Sequence, residues 1–199
     1  MSNDDFDGLA PDSARVALLL VDVINDLEFE GGAELLGPAL AMAEEIVQLK
    51  RACRQLDIPA IYANDNFGRW QSDFAQLTQR WLERNCAGAP IIRRLLPSDD
   101  DYNILKPKHS GFYATPLNLL LQHLGVENLI ITGLTTDRCV TFTAHDAYMR
   151  DYRLLVPENC SASIRLQDHR TSLDIMRRVL KADTAPWQDL DLAGLAASD

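Results

Sequence analysis

Leu129-Ile130-Ile131-Thr132-Gly133-Leu134-Thr135-Thr136-Asp137-Arg138-Cys139-Val140 is the segment from which the rest of the chain can be read. It opens as an apolar run of strand type. A short Gly/Thr-rich turn follows, and Cys139 stands where the next helix begins. A helix N-terminus presents unpaired N–H groups and a partial positive charge, so it favours a thiolate over a thiol. The position suits a nucleophile. A buried structural cysteine is the alternative, because free Cys is among the most buried residue types.

The same alternation extends in both directions. Val16-Ala17-Leu18-Leu19-Leu20-Val21 is a continuous apolar run ending at Asp22, the pattern of a strand buried on both faces. Ala39, Met42, Ala43, Ile46, Leu49, Cys53 and Leu56 recur at helical spacing, and that helix stops before Pro59. Ala60 to Ala63 reads as a second strand leading into Asn64-Asp65-Asn66, and Tyr102 to Leu105 as a third ending at Lys106. Thr115-Pro116 predicts a helix start, with a capping hydroxyl and proline at the first helical position; Gly125 predicts its end. Leu129 to Thr132 is the fourth strand, with a helix from about Cys139 to Arg150. Leu154 to Val156 is the fifth strand, a helix runs from about Asp168 to Leu180, and a short sixth strand is placed near Ala182 to Ala185. Phe67 to Asp101 is the least regular stretch and reads as a helix plus a loop. Alternating strands and helices predict a three-layer α/β/α fold with a doubly wound, mostly parallel sheet of about six strands.

Composition narrows the partners. The 199 residues are 47% hydrophobic and 24% charged, which fits one domain spanning 1–199 with its core at about 15–185. The net charge of -10 argues against nucleic acid as a partner. The acidic start Met1-Ser2-Asn3-Asp4-Asp5-Phe6-Asp7 lacks the features of a secretory signal, and no apolar stretch nears the roughly 18 residues of a membrane span. The four cysteines (Cys53, Cys86, Cys139, Cys160) form neither a zinc-type pair nor a disulfide framework. A cytoplasmic chain with reduced thiols is expected.

In a sheet of this kind ligands bind beyond the carboxyl ends of the strands. Asp22, Asn64-Asp65-Asn66, Lys106 and the turn before Cys139 all fall there. A cysteine nucleophile needs a base for its proton and a positive group to hold the thiolate, and Asp22 and Lys106 supply both types. Backbone N–H groups of the turn Thr135 to Cys139 are candidate oxyanion donors. Each residue also has a plainer reading: Asp22 as a loop cap, Lys106 as a surface lysine, Asp65 and Asn66 as turn formers.

Three blocks carry a family resemblance. Leu19-Leu20-Val21-Asp22-Val23-Ile24-Asn25-Asp26-Leu27 is similar to a strand end commonly written D-V-Q-N-D-F. Leu105-Lys106-Pro107-Lys108-His109-Ser110-Gly111-Phe112-Tyr113-Ala114-Thr115-Pro116-Leu117 resembles K-x-x-x-S-A/G-F-x-x-T/S-x-L. Gly133 to Val140, followed by Thr143-Ala144-His145-Asp146-Ala147, resembles G-x-x-T-x-x-C-V and T-A-x-D-A. Together they resemble the isochorismatase-like cysteine hydrolase superfamily, over roughly residues 15 to 185. The resemblance implies Asp22 as general base, Lys106 as thiolate and transition-state stabiliser, and Cys139 as nucleophile. It selects Lys106 over Lys108, because the family's lysine stands four residues before the serine matching Ser110. It also implies a cis peptide before Thr135, with the Thr135 and Cys139 N–H groups forming an oxyanion hole. The implied reaction is attack on an amide-type carbonyl, loss of ammonia or an amine, and hydrolysis of the thioester. A homo-oligomer, dimer or tetramer, is implied as well.

The chain also departs from the pattern. Nicotinamidases of the superfamily carry a D-x-H segment for a metal, whereas this chain has Asn64-Asp65-Asn66-Phe67. His109, His123, His145 and His169 show no ligand-like pairing, so no metal or other cofactor is expected and the histidines read as ordinary polar residues. True isochorismatases cleave a vinyl ether and commonly lack the cysteine, so Cys139 favours C–N hydrolysis of a small amide, carbamoyl or ureido substrate. A vinyl-ether hydrolase and a non-catalytic interaction domain are the alternatives. Asp65 and Asn66 are candidate substrate contacts. Trp70, Phe112 and Tyr113 read as either pocket wall or core. Arg69, Arg80 and Arg138 read as either carboxylate partners or surface residues.

Overall fold

A parallel sheet forms the centre of the structure, a computed structural model that describes residues 13–71 and 73–197. The acidic start read above lies outside the described residues. β1 (Val16–Val21) is buried along its whole length, as its unbroken apolar sequence requires. It pairs in parallel with β2 (Ala60–Asp65) on one side and β4 (Asn128–Leu134) on the other. β3 (Tyr102–Lys106) extends the β2 side and β5 (Arg153–Leu155) the β4 side. The strand order is β3-β2-β1-β4-β5, and a short β6 (Ser161–Ala162) also pairs with β4.

Alternation along the strands divides the core in two. Val16, Leu18 and Leu20 join α1 (Gly32–Arg54), α2 (Phe74–Glu83) and α3 (Ala89–Arg94) in one cluster. Ala17, Leu19 and Val21 face α4 (Leu117–Leu124), α5 (Thr141–Tyr148) and α6 (Leu166–Val179) in the other. Successive strand side chains point to opposite faces, so six adjacent apolar residues serve two layers of helices. A last short helix, α7 (Leu192–Ala196), packs Leu192 on the first cluster.

The chain winds from β1 to β2 and β3 in one direction, then crosses back to β4 and continues in the other. The reversal lies between β1 and β4, where such sheets leave a crevice at their carboxyl ends. Val21 is in register with Gly133 there. Gly133 has a φ of 109°, and a Cβ on it would stand 2.0 Å from the Val21 carbonyl oxygen. Only glycine permits both that conformation and that approach.

Several boundaries differ from the sequence reading. α4 begins at Leu117, so Pro116 is the cap and not the first helical residue; the Thr115 hydroxyl accepts from the Leu117 N–H at 3.3 Å. Gly125 ends that helix in the left-handed conformation, as predicted. Phe67 to Asp101 contains two helices, the first capped by Asp73, whose carboxylate accepts from the Gln76 N–H at 2.7 Å. The sixth strand is Ser161–Ala162. β5 stops early, which leaves the Gly133–Leu134 edge of β4 free to pair with it. The stretch placed there from sequence makes a single bridge, Leu155 to Asp183, before Pro186. The pairings described are all parallel, where a mostly parallel sheet was expected.

Candidate active site

Asp22 follows directly on β1 with a φ of 51°, in the left-handed region that a non-glycine residue seldom occupies. Its N–H donates to the Ala63 carbonyl at 3.1 Å, and its Oδ1 accepts the Asp65 N–H at 2.6 Å. Nearby, Asn64 is buried and grips the backbone of Ile24 on both sides. Its Oδ1 accepts the Ile24 N–H at 3.0 Å, and its Nδ2 donates to the Ile24 carbonyl at 2.9 Å. The loop after β1 is thus pinned to the end of β2.

Lys106 closes β3 and is 0% exposed. Its Nζ lies 2.8 Å from Asp22 Oδ2 and donates to the Lys108 carbonyl at 3.1 Å. Asp65 Oδ2 stands 4.0 Å away. A buried charge of this kind persists only with an opposite charge and hydrogen bonds around it. The Lys108 side chain is exposed, so the structure separates the two lysines as expected.

Cys139 lies in one wide helical turn, Thr136–Val140, that precedes α5. The sequence placed it at the start of the helix itself; the turn begins three residues sooner. Single π-type turns of this sort recur at functional sites. The turn is held from several sides. Thr143 Oγ1 donates to the Cys139 carbonyl at 2.6 Å and accepts the Gly111 N–H at 3.0 Å. Thr136 Oγ1 meets Ser161 Oγ at 3.0 Å and His169 Nδ1 at 2.8 Å. Ser163 donates to Asp137 at 2.6 Å. The Leu134–Thr135 peptide bond is cis.

Asp22 and Lys106 both interact with the Cys139 thiol, so the three side chains form one cluster. Burial, aided by the Asp22 anion, raises the thiol above its ordinary value, against the pull of Lys106. A thiolate favoured by the helix start alone was the expectation. Desolvation and a neighbouring carboxylate act on the thiol against the turn's partial charge, which by itself favours a thiolate. Burial also raises Asp22, despite Lys106 and its other partners. Burial pulls Lys106 down, but Asp22, Cys139 and Asp65 outweigh it and the ammonium ends above its ordinary value. A raised carboxylate next to a thiol is a competent proton acceptor, and an ammonium that stays charged can hold the resulting thiolate.

The cluster opens on a cavity of about 220 Å³, smaller than pockets for drug-sized ligands. Asp22, Asp65, Thr135 and Cys139 line it together with His109 and Arg138. Leu27, Phe29, Leu35, Phe67 and Ile164 form an apolar wall. Thr135 Oγ1 is buried with no hydrogen-bond partner among the described residues. A larger groove of about 750 Å³ holds Arg69, Trp70 and Arg80 but none of the cluster.

The predicted contacts divide accordingly. Asp65 is at the pocket. Asn66 is not among its lining residues; its Oδ1 accepts the Gly68 N–H at 2.9 Å, the turn-forming role. Trp70 is 78% exposed and lies on the other groove, because the turn after β2 directs the chain outward. Phe112 is 5% exposed and packs on Tyr152 in the second core cluster, while Tyr113 is exposed. His109 was passed over as an ordinary polar residue, yet its Nδ1 lies 3.5 Å from Cys139 Sγ. Its place between Lys106 and Ser110 in the second block was the available signal. The apolar wall comes largely from loops, which have no periodicity to betray it. Among the described residues no group of three or more His, Cys, Asp or Glu side chains is placed to hold a metal.

Fold and site define a doubly wound α/β protein with a carboxylate, an ammonium and a thiol gathered at its switch point. The chain belongs to the isochorismatase-domain family, which matches residues 16–187. It is 42% identical over 170 residues to the uncharacterized isochorismatase family protein YaaI of Bacillus subtilis, covering 85% of this chain and 93% of that protein. It is 31% identical over 169 residues to an isochorismatase of the same organism, covering 82% of this chain but only 53% of that longer protein. Among solved structures, the N-carbamoylsarcosine amidase of Thermoplasma acidophilum superposes with a TM-score of 0.64 at 26% identity, over 89% of this chain and 99% of the other.

Proposed function

We propose that this chain is a single-domain cysteine hydrolase that cleaves the C–N bond of a small amide, carbamoyl or ureido compound. The observation that carries the reading is the Cys139 thiol held against Asp22 and Lys106 in a small pocket at the strand ends. Asp22 accepts the thiol proton as sulfur attacks the carbonyl carbon, and Lys106 stabilises the thiolate. The Thr135 and Cys139 N–H groups receive the developing oxyanion, and the unpartnered Thr135 hydroxyl offers a further polar contact. Ammonia or an amine departs, a thioester remains on Cys139, and water hydrolyses it. The likeness to an N-carbamoylsarcosine amidase supports this chemistry. The four cysteines are free thiols, which supports a reducing, cytoplasmic setting.

A second reading, vinyl-ether hydrolysis by Asp22 and Lys106, draws on the likeness to an isochorismatase. A vinyl ether has no acyl group to leave on sulfur, so intact mass separates the two. After exposure to a library of small amides, the protein is expected to release ammonia and to show an acyl adduct confined to Cys139. Cys139→Ala is expected to remain folded and lose turnover. Full activity in Cys139→Ala would remove the covalent mechanism. Absence of both ammonia and adduct would favour the other readings.

A further inference from the structure

The turn that carries Cys139 is fastened from outside the reacting cluster, and one fastening comes from α6, which supplies no residue to the chemistry. Thr136 opens the turn, stands directly after Thr135 and is 0% exposed. Its Oγ1 meets two partners, Ser161 Oγ at 3.0 Å and His169 Nδ1 at 2.8 Å. Ser161 belongs to β6, which is itself in register with Gly133 of β4. His169 belongs to α6 and is half-buried, and its ring also hydrogen-bonds the backbone of Glu158. The imidazole thus ties the segment before β6 to the turn after β4. Among the described residues, no other α6 side chain is hydrogen-bonded to the turn.

The backbone of the turn depends on the same place. The Arg138 and Val140 N–H groups both donate to the Thr135 carbonyl, at 3.1 and 3.2 Å. Thr143 holds the other end through the Cys139 carbonyl. A threonine is branched at Cβ and stiff, so fixing its hydroxyl fixes the backbone on which it stands. The Thr135 N–H and the Cys139 sulfur must meet one carbonyl group together. A misplacement of about 1 Å at such a site costs on the order of 100-fold in rate. His169 reaches the turn through Thr136 and is not among the residues that line the Cys139 cavity. Its influence on the reaction therefore passes through geometry.

We propose that His169 is a positioning residue for the nucleophile and the oxyanion hole, holding the Cys139 turn through the Thr136 hydroxyl; this rests on the thioester reading above. The function requires a hydrogen-bonding atom where Nδ1 stands. Asparagine supplies one, because its amide atoms are bonded to Cγ as Nδ1 is. Leucine keeps the bulk near Cγ and supplies none.

The test uses the amide that releases ammonia fastest. His169→Leu is expected to lower kcat by about 10–100-fold with KM within about threefold, because the lost contact lies within the protein and not with the substrate. His169→Asn should recover to within about fivefold of wild type. A role in stability alone would leave kcat unchanged once the rate is referred to the folded fraction, measured by circular dichroism and urea unfolding. Thr136→Val removes the hydroxyl and should lower kcat to a similar degree. The double variant should lose no more than the larger single loss, as expected of two residues acting through one contact. Gln167→Ala is the control, an exposed α6 side chain bonded to Thr171 of the same helix, and should stay within about threefold of wild type. A kcat of His169→Leu within about threefold of wild type, equal losses in the leucine and asparagine variants, or single losses that multiply in the double variant would overturn the proposal and leave the thioester reading standing. If the wild-type protein forms no adduct on Cys139 and releases no ammonia, the thioester reading itself fails and takes the proposal with it.

Discussion

Lys106 carries its charge in the interior because Asp22, the Lys108 carbonyl and Asp65 surround the ammonium. The neighbouring Lys108 contributes only its backbone oxygen, which a side-chain substitution leaves in place. Lys106→Met is therefore expected to lower kcat/KM for an amide by at least about 100-fold. Lys108→Met should stay within about threefold of wild type. Equal effects of the two would remove Lys106 from the chemistry. Asp22 adds a pH dependence. Burial raises its carboxyl above the ordinary value of 3.8, so the base is lost to protonation at a higher pH than for an exposed carboxylate. Activity should thus fall on the acid side at a pH above 3.8, in a profile of kcat/KM over intact protein.

Between elements, the site depends on how β1, β2 and β4 end. Asn64 satisfies both backbone groups of Ile24 and so sets the path of the loop that begins at Asp22. Asn64→Ala leaves a buried N–H and a buried carbonyl without their partner. A loss of about 2–4 kcal/mol in urea unfolding is expected, since each orphaned buried group costs about 1–3 kcal/mol. Asn103 provides the control. It is exposed on β3, and its long 3.4 Å contact is to Asp101 within its own segment. Asn103→Ala should change stability by less than about 0.5 kcal/mol, as surface substitutions generally do. Similar losses at both positions would show that the β1 loop is not held through Asn64.

Across the molecule, buried thiols tie stability to alkaline pH. Burial pushes Cys53 up to about 12 from an ordinary 9.0, and it raises Cys160 as well. A group raised on folding contributes stability that is complete below its unfolded value and lost as pH rises toward the folded one. For Cys53 that window runs from 9.0 to about 12. Each such thiol should cost about 1.4 kcal/mol of stability per pH unit within its window. Urea unfolding from pH 8 to 11 should show the decline, with a shallower slope in Cys53→Ala. An unchanged slope would mean that Cys53 ionises as readily in the folded state as in the unfolded one.

The apolar run Val16–Val21 and the helical spacing of Ala39 to Cys53 are local patterns, and each specifies its element without reference to the rest of the chain. That Asp22, Lys106 and the turn before Cys139 share one edge was legible for the same reason: strand ends are marked in the sequence, and a parallel sheet brings strand ends together. The pocket's surroundings were not legible. Trp70 and Phe112 look alike as aromatic residues near a site, and only packing sends one into solvent and the other into the core. His109 has no periodicity to mark it, and its contact with sulfur exists only because the loop after β3 and the turn after β4, two strands apart in the sheet, meet at the carboxyl ends. The setting of the Cys139 thiol arises in three dimensions too. The local turn favours a thiolate, but burial and the charge of Asp22, far off in the sequence, push the thiol above its ordinary value. The sequence by itself determined most of the elements and the placement of Asp22 and Lys106 at strand ends, because periodicity and strand termini are local. Tertiary structure alone decided the pocket wall and the burial that raises the thiol, because contact and desolvation arise between residues distant along the chain.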